Sequence, residues 1–134
     1  MAQKFLLPQE IETFYVIPAL RRYLALAMKE QGIKQKDIAN IMDINTAAIS
    51  QYISNKRGHN VTFNAELQAE IKKSAIRVRD RMSYVRETQH LLDFLRRTKT
   101  LCDIHRQFSD VPKECHPHLV GCHPRDNSQI TCTW

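Results

Sequence analysis

Over residues 59–111 the chain has neither glycine nor proline. No glycine or proline in that stretch interrupts a helical hydrogen-bond ladder. Strand-like alternation of β-branched residues is missing, and strong helix formers dominate. Elsewhere the breakers are sparse: Gly32, Gly58 and Gly121, with Pro8, Pro18, Pro112, Pro117 and Pro124. The expected fold class is therefore all-α. Internal repeats and low-complexity linkers are absent.

A first helix fits residues 10–32, where Ile17, Leu20, Leu24 and Met28 keep the 3–4 spacing of a buried stripe. Pro18 is awkward inside it. Proline is tolerated in a first turn, so the main helix is expected to start near Ile17, behind an earlier short helix. Gly32 should end it as a C-cap. Two short helical segments follow, QKDIANIMD and TAAISQYISNK. After an extended HNVTF, a long helical pattern opens with Asn64 as N-cap and Glu66 near its first turn.

At 134 residues, the chain has room for one domain or a small domain with an appendage. Its apolar stretches fall far short of the roughly 20 residues a membrane span needs. The start, MAQKFLLPQE, lacks the basic and apolar regions of a secretory signal. A cytoplasmic location is expected, and in a reducing compartment clustered cysteines point to metal ligands rather than a disulfide framework. The formal charge of +6 suggests a polyanionic partner, and its distribution says more. Residues 1–60 net +3, residues 61–101 net +4 and residues 102–134 net −1. The basic part and the Cys/His part are therefore different segments, with different jobs.

In residues 35–58, QKDIANIMDINTAAISQYISNKRG, the small Ala39 lies where two short helices must approach closely. Ile38, Met42, Ile44, Ile49 and Tyr52 stand at −1, +3, +5, +10 and +13 from it, offsets that fill the core between two helices crossing steeply. The tight turn falls at Asp43-Ile44-Asn45, whose first position calls for a left-handed backbone. Glycine is the common choice there, and Asp or Asn the next most tolerant. Residues 15–58 resemble the helix-turn-helix family of phage-repressor-like transcription regulators. The run AAISQYISNKRG is similar to small archaeal-type regulators that carry a Cys-rich segment behind the reading head.

The resemblance implies that the second short helix enters the major groove of double-stranded DNA while the first crosses the backbone. Asn45, Thr46, Ala47, Ser50 and Gln51 would then face base edges. Gln51 suits bidentate bonding to adenine, and Ala47 or the Thr46 methyl suits a thymine methyl. Gln35, Lys36, Asn55, Lys56 and Arg57 would contact phosphates. The competing reading makes these ordinary solvated positions on an amphipathic pair, with an RNA target or a protein-only role.

Ile71, Ala75, Val78, Met82, Val85, Gln89 and Leu92 are spaced 4-3-4-3-4-3, a heptad seam. It fits one bent helix, or two broken near residues 81–83. A homodimer through residues 64–100 would place two reading heads on successive major grooves. Alternatively, the stripe packs on the first helix and completes a monomer core. The basic run Arg77, Arg79, Arg81 and Arg86 suits either a flank of the DNA or a solvated face.

All four cysteines, with four of the six histidines, fall in residues 102–132. Cys102 and His105 share one helical face. Cys115 and Cys122 bracket HPHLVG, where Pro117 and Gly121 predict a loop or knuckle. The regulators this chain resembles usually carry paired C-x-x-C spacings there, which this chain lacks. An iron–sulfur cluster on Cys102, Cys115, Cys122 and Cys132 is the leading reading. Structural Zn2+ is the alternative, with His105, His116, His118 and His123 as further ligands. The plainest reading leaves buried apolar cysteines and chance histidines. No phosphate-binding glycine loop, HExxH or acid pair is present, so no enzymatic activity is expected.

The expected organisation is a helix-turn-helix DNA-binding domain over residues 1–58, long dimerisation helices over 59–100, and a short irregular Cys/His metal-binding tail over 101–134. The expected function is sequence-specific transcription regulation, with the tail sensing redox state, oxygen or iron. The rival is a zinc-stabilised protein-interaction module that uses the helix pair as a scaffold.

Overall fold

The computed structural model describes residues 5–122. Every regular element among them is helical, as the breaker-poor sequence demands. Helix α1 (Pro8–Ile11) runs through a π-helical turn (Glu12–Val16) directly into α2 (Ile17–Glu30). The break expected ahead of Ile17 is thus a change of winding, not an interruption. In an α ladder the Pro18 ring would press on the Phe14 carbonyl and offer it no N–H. The wider turn relieves that conflict: the Ile17 N–H donates to the Glu12 carbonyl, five residues back. At the far end of α2 the Gly32 N–H donates to Lys29 O and the Ile33 N–H to Met28 O, with Gly32 at φ 89°. This paired, left-handed termination satisfies carbonyls the helix leaves open.

Two short helices follow, α3 (Gln35–Met42) and α4 (Thr46–Ile53). Then come α5 (Ala65–Arg77), α6 (Arg81–Arg97), α7 (Thr100–Phe108) and the single turn α8 (Pro117–Val120). Asn64 caps α5 as its position suggests, accepting the Leu67 N–H at 2.9 Å. The long pattern breaks at residues 78–80, slightly before residues 81–83. Asp80 takes the N-cap of α6 and exchanges hydrogen bonds with Ser83, a reciprocal capping box. In the tail, the segment expected as a loop contains α8. Pro117 opens that turn, where its missing N–H costs nothing, and Gly121 closes it at φ 80°.

One contiguous apolar core runs from Ile11 to Ile104, with α2 packed against α4, α5 and the π turn. Leu20, Leu24 and Met28 are fully enclosed, and each contributes about 1.5–3 kcal/mol by leaving water. Helices α5 and α6 fold back on each other, with His90 Nε2 2.7 Å from Glu70 Oε1. That hairpin divides the heptad seam. Ile71, Ala75, Val78 and Leu92 enter the core, whereas Gln89 is exposed, Met82 is 77% exposed and Val85 46%. Among the described residues, no helix is long and apolar enough to cross a membrane.

Candidate nucleic-acid interface and cysteine cavity

Helices α3 and α4 are joined by the three residues Asp43, Ile44 and Asn45. Asp43 adopts φ 55° and ψ 44°, the left-handed geometry that a non-glycine residue at this turn must accept. Arg81, from the start of α6, stabilises it: Nη2 donates to Asp43 Oδ1 at 3.2 Å and to the Asn40 carbonyl at 3.1 Å. Ile38, Ala39 and Met42 of α3 and Ala48, Ile49 and Tyr52 of α4 are buried. The opposite side of α4 presents Thr46, Ala47, Ser50 and Gln51 to solvent. Lys36, Asn55, Lys56 and Arg57 are exposed as well, and Gln35 is half-buried.

Two of these residues also hold the pair together. Asn45 Oδ1 accepts the Ala48 N–H at 2.7 Å, so its side chain is an N-cap and has only its remaining valences for a ligand. Ser50 Oγ lies 3.3 Å from Gln35 Oε1, tying the start of α3 to α4. The capping role is legible from an Asn preceding a helical run; the Ser50–Gln35 contact depends on the crossing of the two helices and has no sequence signature. The basic run is largely occupied internally. Arg77 and Arg86 pair with Glu87, and Arg81 with Asp43, leaving Arg79 without a carboxylate within ion-pair distance among the described residues.

A cavity of about 1020 Å³ lies between α7, the residues leading into α1, and the segment around α8. Cys102, Cys115, Cys122, His105 and His116 all line it. Burial raises the Cys102 thiol above its ordinary value, and the neighbouring Cys122 and Cys115 raise it further. Burial, then Cys115, raises Cys122 in the same way. Cys102 thus feels both other sulfurs, and Cys122 feels that of Cys115. Arg106 Nη2 donates to the Cys115 carbonyl at 2.9 Å and holds that segment against α7.

His105 has a different job from the one its spacing suggests. Its Nε2 lies 2.6 Å from the Leu6 carbonyl and must donate to it, leaving only Nδ1 to offer a lone pair. The Leu6 N–H donates to Ser109 Oγ at 2.7 Å, so α7 clasps the residues before α1 from both sides. Tyr15 stacks on Phe108 at 4.2 Å, and Arg96 Nε donates to Glu12 Oε1 at 2.8 Å, extending that clasp to the π turn. Among the described residues, no three His, Cys, Asp or Glu side chains meet at metal-ligand spacing. Cys132, His123 and the side chain of His118 lie outside the described residues.

Comparison with known proteins finds no matching family model, no matching curated protein and no matching solved structure.

Proposed function

We propose that this chain is a sequence-specific DNA-binding transcription regulator of the helix-turn-helix kind, with α3 and α4 as its reading head. The observation that carries this reading is the division of α4 into two faces. Ala48, Ile49 and Tyr52 fix one face in the core, and Thr46, Ala47, Ser50 and Gln51 stand clear on the other. Short polar side chains on a rigidly held helix suit hydrogen bonding to base edges in a major groove. Lys36, Lys56 and Arg57, exposed around them, suit phosphates. The test is duplex binding across a salt series: specific binding should weaken steeply as counterion release loses its driving force. Gln51→Ala should cost roughly 1–3 kcal/mol on the specific site and little on random DNA. Absence of salt-sensitive binding to any duplex would favour the protein-interaction module instead.

The cysteine cavity supports a second element of the proposal, a thiolate-held iron–sulfur cluster, with Zn2+ as the alternative. Cys102, Cys115 and Cys122 already line one space, and Cys132 or a histidine would complete the set. When bound, a cluster supplies electron transfer and zinc a cross-link. The protein's own part is to hold three thiols on α7 and the α8 segment, close to the residues leading into α1. Metal and sulfide analysis with an absorption spectrum, on protein purified without oxygen, separates the two. Iron, sulfide and broad visible absorption identify the cluster; a colourless protein holding zinc identifies the clamp.

A further inference from the structure

The π turn and the loop leaving α4 enclose a cleft of about 360 Å³. Arg21 comes from α2, Tyr52 from α4, and Arg57 and Asn60 from the loop after it. No carboxylate lines the cleft among the described residues. Five arginines elsewhere, Arg77, Arg81, Arg86, Arg96 and Arg97, each have a carboxylate partner, whereas Arg22, Arg79 and Arg106 have none within ion-pair distance among the described residues. Arg21 and Arg57 have none within ion-pair distance among the described residues, and both are organised by tyrosines. The Tyr84 hydroxyl lies 3.4 Å from Arg21 Nε, and the Arg57 guanidinium sits over the Tyr52 ring, 5.7 Å from its centroid.

The cleft is also built stiffly. Gly58, at φ 71°, lies so close to the Pro18 carbonyl that a Cβ there would collide with it. The backbone carrying Arg57 is thereby pinned to the start of α2. Two guanidiniums held without a counterion in a small concavity make a site for a tetrahedral oxyanion, since a planar fork of donors matches phosphate oxygens.

We propose that Arg21 and Arg57 together grip one phosphate of the DNA backbone beside the groove that α4 enters. This rests on the reading of α3 and α4 as a DNA-binding head. It adds a contact from α2, outside the helix pair, and gives Arg21 a role its sequence context does not reveal. Because Arg57 leaves the C-terminal end of α4, the gripped phosphate would set how far that helix slides along the groove.

The experiment measures affinity of the full chain for a specific and a random duplex by fluorescence anisotropy over a KCl series. Arg21→Met and Arg57→Met should each weaken both duplexes by the same factor. Each should lower the slope of log K against log salt by less than about 0.9, because the remaining arginine still holds the phosphate. The double variant should lower the slope by about 0.9 in all, the loss of one phosphate contact, and not by the roughly 1.8 of two independent contacts. Arg21→Lys should restore part of the slope, which a purely structural role would not do. Should Arg21→Met fail to fold, Arg21→Gln, which keeps a polar side chain without the charge, reports the same slope. Intact binding with unchanged slopes would overturn the cleft and leave the reading head standing. No duplex binding by the wild-type chain would overturn both. Inorganic phosphate raising the melting temperature through Arg21, with the DNA slopes unchanged, would assign the cleft to a free phosphate ligand and overturn the backbone contact.

Discussion

Gly58 shows how much one missing methyl group can decide. Its backbone is left-handed, and the space a Cβ would occupy belongs to the Pro18 carbonyl. Neither fact follows from a Lys-Arg-Gly run, which reads only as a turn. Gly58→Ala is expected to lower stability by about 1–3 kcal/mol through backbone strain and the forced separation of loop from α2, read as a fall in urea midpoint. Gly32→Ala, also left-handed but with nothing near a Cβ, is the control that carries strain without collision. Asp43 was more legible. The offsets around Ala39 locate the turn, and turn chemistry then requires a tolerant residue at its first position. What sequence could not supply was Arg81, which reaches that turn from α6 because of how the helices stack.

At the scale of elements, the helices were legible because breakers are few and caps are well placed. Asn64 opens α5, and Gly32 closes α2 where apolar periodicity ends. The hairpin of α5 and α6 was less so, because 4-3 spacing continues across a break whose signals are only Asp80 and Ser83. Glu87, on α6, fastens that hairpin. Burial alone would raise its carboxyl, but the Arg86 guanidinium, the Ser74 hydroxyl and the Arg77 guanidinium together prevail and hold it below its ordinary value. The unfolded chain therefore takes up its proton first as acid is added. The stabilisation is fully present above the unfolded value of about 4.3 and is lost as pH falls through the lower folded value. Glu87→Gln should cost about 1.5–3 kcal/mol at neutral pH, and the gap to wild type should close in acid. Urea titrations from neutral pH into the acid range check this; a gap that stays constant would show that Glu87 acts by shape alone.

For the whole molecule, an all-α chain was legible, and the joining of residues 5–108 around one core was not. Core membership depends on which half of the seam turns inward, and both halves carry the same periodicity. The homodimer expected from the heptad seam would have to use the outward half, where Met82 and Val85 stand exposed near the α5–α6 corner, as does Ile76. Met82→Glu is expected to shift sedimentation at micromolar concentration from dimer toward monomer and to weaken binding to a two-half-site duplex more than to one half-site. A wild-type chain that sediments as a monomer throughout would retire the dimer. The cysteine cavity escaped sequence reading in one respect: one of its walls is the segment before α1, which no spacing among the cysteines indicates.

That wall bears on synthesis. Leu6 and Ser109, joined by a hydrogen bond, are 103 residues apart in the chain. At roughly 5–20 residues per second, Leu6 is added to the chain on the order of 5–20 seconds before Ser109. During that interval α2, α3 and α4 can pack while Leu6 and Phe5 still lack the α7 residues they will meet. The thiols of Cys102 and Cys115 thus gain the wall of their cavity only after α7 is made, when α2, α3 and α4 can already have packed.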